Sequence, residues 1–72
     1  MTVISERLKT LRKTANMTQK AVAEAVGVTE VSYQRFEYGT VRPSLDSLIA
    51  LASLFSCSID YLVGHSDDPT RR

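Results

Sequence analysis

Residues 18–39 read TQKAVAEAVGVTEVSYQRFEYG, and this stretch decides the fold. Val22, Ala23 and Val26 recur at helical spacing before Gly27, and Tyr33 and Phe36 do so after it. Thr18 is placed to cap the first segment, because its hydroxyl can accept a free amide of the first turn. Gly27 ends that segment, since glycine enters the left-handed region at least cost. Thr29 caps a second segment only two residues later. Val28 and Tyr33, on either side of that cap, have the spacing of a hydrophobic staple. Gly39 stops the second segment. Residues 18–37 therefore predict two short helices joined by a tight turn at Gly27-Val28-Thr29. Ala23, one turn before Gly27, is small enough to let two steeply crossing helices approach.

Outward from this pair the pattern stays helical. Ile4, Leu8, Leu11 and Ala15 predict the apolar stripe of a first helix over about residues 3–15, with Asn16 as its stop. Arg7, Lys9, Arg12 and Lys13 fall elsewhere on its surface. Pro43 and Ser44 open a fourth helix, whose inner face is expected at Leu45, Leu48, Ile49, Ala52 and Phe55, widened by Leu51. Asp46 suits the positive end of its dipole. Ser58 caps a short fifth helix carrying Ile59, Leu62 and Val63, with Asp60 in its first turn, and Gly64 ends it. No stretch alternates as a strand would. The expectation is an all-α, compact five-helix bundle occupying residues 1–64 as one domain. Residues 65–72, HSDDPTRR, hold no apolar residue and read as a disordered polar tail.

Composition narrows the function. Seventy-two residues make one domain at most and leave little room for a substrate cleft. One cysteine excludes a disulfide framework, and one cysteine with one histidine excludes a Cys/His zinc site. No nucleophile has a positioned base, and there is no phosphate loop, so neither an enzyme, a cofactor nor a small-molecule ligand is expected. Cys57 reads as a buried thiol and His65 as solvated. No apolar run approaches a membrane span, and the N-terminus has no signal-peptide layout, which fits a cytoplasmic protein. The net charge of +1 hides an asymmetry. Residues 1–42 carry seven Lys/Arg against four Asp/Glu, and residues 43–72 carry two against four. A basic front suggests a polyanion on one side.

A tight, glycine-containing turn between two short helices is a helix-turn-helix signature, and its second helix fits the roughly 12 Å width of the B-DNA major groove. The run Met17-Thr18-Gln19, Val22-Ala23, Val26-Gly27-Val28-Thr29, Phe36-Glu37-Tyr38-Gly39 and Arg42-Pro43-Ser44 resembles the phage-repressor-like (Cro/XRE-type) helix-turn-helix family. Leu48, Leu51-Ala52 and Ser58-Ile59-Asp60-Tyr61-Leu62 extend the resemblance across residues 4–64. It implies a lambda-repressor-like bundle that regulates transcription, as a repressor or activator of bacterial or phage type. It places residues 29–37 in the major groove, with Glu30, Val31 and Arg35 at base edges. It puts Gln19, Thr29, Ser32, Tyr38 and Arg42 near the DNA backbone, and pairs Arg12 with Glu37 as a structural ion pair. Three departures stand out, one of them the loop from Gly39 to Pro43, which has Thr40 and Val41 in it and fewer basic residues than many relatives. Glu30 puts a negative charge where many relatives are neutral or basic, and it suits the helix dipole whatever it binds. Tyr38 replaces a common asparagine.

The partner expected is double-stranded DNA with a palindromic operator. One recognition helix reads too few base pairs to single out a site among about 10⁶ or more genomic positions, so a homodimer is expected. Ile59, Tyr61, Leu62 and Val63 put four large apolar side chains into five residues and are the expected dimer surface; one turn cannot bury them all inward, so Tyr61 or Val63 is expected on the outside. A fragment of a longer regulator is the less favoured expectation, because the sequence ends in a short polar tail. The competing expectation is a protein-interaction module on the same scaffold, antitoxin-like or adaptor, without strong DNA binding.

Overall fold

One local chemistry, repeated along the chain, sets where its helices begin and end. The computed structural model describes residues 3–65, 68 and 70. The helices are α1 (Val3–Thr14), α2 (Gln19–Val26), α3 (Glu30–Tyr38), α4 (Leu45–Phe55) and α5 (Ile59–Leu62). Thr18, Thr29, Ser44 and Ser58 lie in extended backbone ahead of α2 to α5. Each hydroxyl accepts the amide three residues on, from Ala21, Ser32, Ser47 and Tyr61, at 3.0, 3.1, 3.2 and 3.0 Å. At the other ends Asn16, Gly27, Gly39, Ser56 and Gly64 all have positive φ, between 53° and 82°. The amide after each of these returns to a carbonyl five residues back: Met17 to Arg12, Val28 to Ala23, Thr40 to Arg35, Cys57 to Ala52 and His65 to Asp60. That bond satisfies one of the carbonyls a helix end leaves free. Ser56 is the closure the sequence reading left unassigned.

Helix α3 packs on α1 and α2, α2 on α4, and α5 on both α1 and α4. The core they enclose is Leu8, Val22, Ala23, Tyr33, Phe36, Leu51, Ala52, Cys57 and Leu62. Tyr33 and Phe36 meet edge to face, with centroids 6.2 Å apart. The Arg7 guanidinium lies 4.1 Å from the centre of the Tyr61 ring and donates to the Tyr61 carbonyl, so α1 is fastened to α5. No described helix is long and apolar enough to cross a membrane.

Three expectations are corrected. Ala15 is exposed rather than part of the α1 stripe, because α1 ends at Thr14 and the next residues turn away. Leu45 and Ile49 are not on the inner face of α4: they are 66% and 46% exposed, while Leu51 and Ala52 are buried. Helix α4 is apolar almost all round, so periodicity alone could not choose its face. Leu62 is fully buried, because α5 docks between α1 and α4, and it has no surface to offer a second copy. Ile59 and Tyr61 are partly buried against the core, and only Val63 of that expected patch is exposed. The polar tail expected at residues 65–72 lies mostly outside the described residues.

Candidate nucleic-acid interface

Helix α3 turns Tyr33, Phe36 and Glu37 into the bundle. At 3.6 residues per turn, the opposite side carries Val31, Arg35 and Tyr38, at i, i+4 and i+7. All three are exposed, Val31 by 56% and Tyr38 by 62%. They form a ridge along a helix about 14 Å long. Glu30 precedes Glu37 by seven residues and so shares its angular position. It is exposed only because it stands at the helix start, on the flank of the ridge rather than its crest. Gln34, half-buried beside the ridge, escaped the sequence reading; its spacing of three from Val31 and four from Tyr38 was the available signal.

The approach to α3 is equally ordered. The Thr29 hydroxyl donates to Ser32 Oγ at 2.9 Å while accepting the Ser32 amide, so the two side chains are tied together at the helix start. Arg42 is exposed in the segment between α3 and α4. It rims a groove lined by Val3, Ile4, Pro43, Leu48 and Val63. Leu45 and Ile49, one turn apart on α4, are exposed as well.

Behind the ridge is a polar cluster. Arg12 grips Glu37 with two parallel bonds, Nε to Oε2 at 2.6 Å and Nη2 to Oε1 at 3.2 Å. Its Nη1 donates to the Met17 carbonyl at 3.1 Å. Gln19 Nε2 donates to Glu37 Oε1 at 3.2 Å. Glu37 is only 1% exposed. Burial acts to raise its pKa, but donation from Arg12, the nearby Tyr33 hydroxyl and the Gln19 amide together outweigh burial and hold the carboxyl below its ordinary value. The Tyr33 hydroxyl beside it is buried and completes no well-formed hydrogen bond. Burial first, and the Glu37 carboxylate second, push its pKa far upward. The sequence paired Arg12 with Glu37 but gave no sign that Gln19 joins them.

Five helices around one core, with a free ridge on the second helix of a tight pair, define a helix-turn-helix domain. The chain belongs to the helix-turn-helix family, whose profile matches residues 8–62. It is 41% identical over 64 residues to the HTH-type transcriptional regulator YobD of Bacillus subtilis, which covers 89% of this chain and 57% of that protein. It is 38% identical over 61 residues to the cryptic phage CTXphi transcriptional repressor RstR of Vibrio cholerae, covering 85% and 54%. The chain thus spans little more than half the length of these relatives. Among solved structures, it is similar to the P22 c2 repressor in complex with a synthetic operator. The TM-score is 0.83 at 32% identity, over 88% of this chain and 96% of that one. A transcriptional regulator from Listeria innocua aligns with TM-score 0.82 at 32% identity, over 88% and 59%.

Proposed function

We propose that the protein is a sequence-specific, double-stranded DNA-binding transcriptional regulator that seats α3 in the major groove. The observation that carries this reading is the ridge of Val31, Arg35 and Tyr38, unobstructed on a helix held from behind by α1 and α2. It belongs to a domain whose fold aligns with an operator-bound repressor over 88% of the chain. Arg35 offers the planar fork that matches guanine O6 and N7, and Val31 offers a methyl surface to thymine. Glu30, on the flank, is suited to a cytosine amino group at the groove edge. Tyr38 stands on the crest and so joins the groove-facing set rather than the backbone set. Gln19, Thr29, Ser32 and Arg42 hold the backbone and fix the register.

The protein is proposed to act as a homodimer. The apolar surface that supports this is Val63, exposed at the end of α5 and lining the groove rimmed by Arg42, together with the exposed Leu45 and Ile49 of α4. A two-fold pair then requires a palindromic site with half-site centres about 34–36 Å apart. Selection of bound duplexes from a random pool tests the whole reading. The expected product is a two-fold symmetric motif whose affinity falls linearly in log–log salt. Recovery of no motif overturns it and leaves the protein-interaction module as the reading of this scaffold.

A further inference from the structure

The polar cluster behind α3 contains one bond beyond the pair that neutralises its charge. Arg12 already neutralises Glu37 through two bonds, yet Glu37 Oε1 also accepts the Gln19 amide nitrogen at 3.2 Å. Gln19 is the first residue of α2, immediately after the Thr18 cap, and its side chain is half-buried at the surface of the helix pair. An ionised carboxylate only accepts hydrogen bonds, so the amide must turn its NH₂ group, not its oxygen, toward Glu37. That NH₂ group carries two N–H bonds. One is spent on Glu37, and among the described residues the amide has no other partner.

We propose that Glu37 is a positioning residue for a DNA-backbone contact: it fixes the Gln19 amide so that its second N–H is presented to a phosphate at the start of α2. This role rests on the DNA-binding reading above and deepens it. A free glutamine side chain loses most of its rotamer freedom when it binds, and a side chain already held loses less. Protein and phosphate therefore meet with the donor oriented. The same carboxylate that receives Arg12 of α1 thereby couples the core of the bundle to the DNA surface. A phosphate contact that looks like a property of one exposed residue becomes a property of three residues on three helices.

The test uses the full chain and duplexes in which one phosphate at a time is replaced by a neutral methylphosphonate. With wild-type protein, one phosphate per half-site is expected whose neutralisation weakens binding roughly tenfold, and at which Gln19→Ala shows no further loss. The double variant Arg12→Met/Glu37→Leu leaves no lone buried charge. It is expected to lose sensitivity at that phosphate while keeping it at the others and keeping the preferred sequence. Retained sensitivity at the Gln19 phosphate, or loss spread evenly over all phosphates, makes Glu37 merely structural and overturns the proposal. A second measurement needs no variant. Relaxation of the Gln19 side-chain amide in free wild-type protein is expected to give an order parameter near the rigid-backbone value of about 0.85, and a value below about 0.6 overturns the proposal. A wild-type protein that binds no duplex removes the underlying reading and this role together, and is told apart by the absence of any binding to compare.

Discussion

Arg35 stands outward between Val31 and Tyr38, and among the described residues no side chain bonds to its guanidinium. Arg35→Ala is expected to cost roughly 1–3 kcal/mol on the selected duplex and to broaden the sequence preference at one position. Equal weakening on selected and random duplexes would show a phosphate contact instead. Glu37 makes a different kind of prediction. Its folded pKa lies below its ordinary value of 4.5, so its contribution to stability is complete above that value and is lost as pH falls through the folded pKa. Urea midpoints measured across the acid range should therefore fall more steeply for wild type than for Arg12→Met/Glu37→Leu, and parallel curves would refute the assignment. Removing one partner alone strands a buried charge and is expected to cost about 3 kcal/mol or more. The double substitution should cost less than the two singles combined, as thermal unfolding of all three variants can establish.

Helix boundaries are set by single residues whose conformational demands are local. That is why Thr18, Thr29, Ser44, Ser58, Gly27, Gly39 and Gly64 could be read from the sequence alone. Ser56 could not, because serine at a helix end carries no preference for a positive φ, and only the packing of α4 against α5 settles where the chain turns. The buried face of α4 was illegible for a related reason: with apolar residues on every side, the choice of Leu51 over Ile49 is made by the neighbours. The Gln19–Glu37 bond links positions on two helices and depends on how those helices cross. Glycine closures give a quantitative check. At Gly27, φ is +78° and an added Cβ would meet nothing within 4 Å, so Gly27→Ala isolates the backbone cost, about 1–2 kcal/mol. At Gly64, φ is +82° and the added Cβ would come within 3.0 Å of Val3 Cβ and Cγ1. Thermal denaturation should rank Gly64→Ala as the more damaging of the two, and a neutral Gly27→Ala would contradict the left-handed closure.

As a whole, the molecule joins α3, which carries the ridge, to α4, which carries Leu45 and Ile49, through one short segment, residues 39–44, whose Arg42 also rims the groove that Val63 lines. Dimerisation and DNA contact are thus expected to share that segment. Ile49→Asp puts a charge on a side chain that is 46% exposed and outside the core, so the monomer should remain folded. Sedimentation should show the dimer lost, with weaker binding to the selected palindrome. An unchanged dimer would exclude this face from the interface.

The helix caps carry one further consequence. Four hydroxyls and five left-handed closures hold the helix ends, and none of these groups bears a charge at any ordinary pH. Mobile ions screen exposed charges and leave neutral, short-range bonds nearly untouched. Ionic strength is therefore expected to act on the proposed duplex contacts and scarcely on these helix ends. On the DNA-binding reading proposed above, raising the ionic strength is expected to release the duplex from a protein that stays folded, and lowering it again to restore occupancy with no refolding step in between.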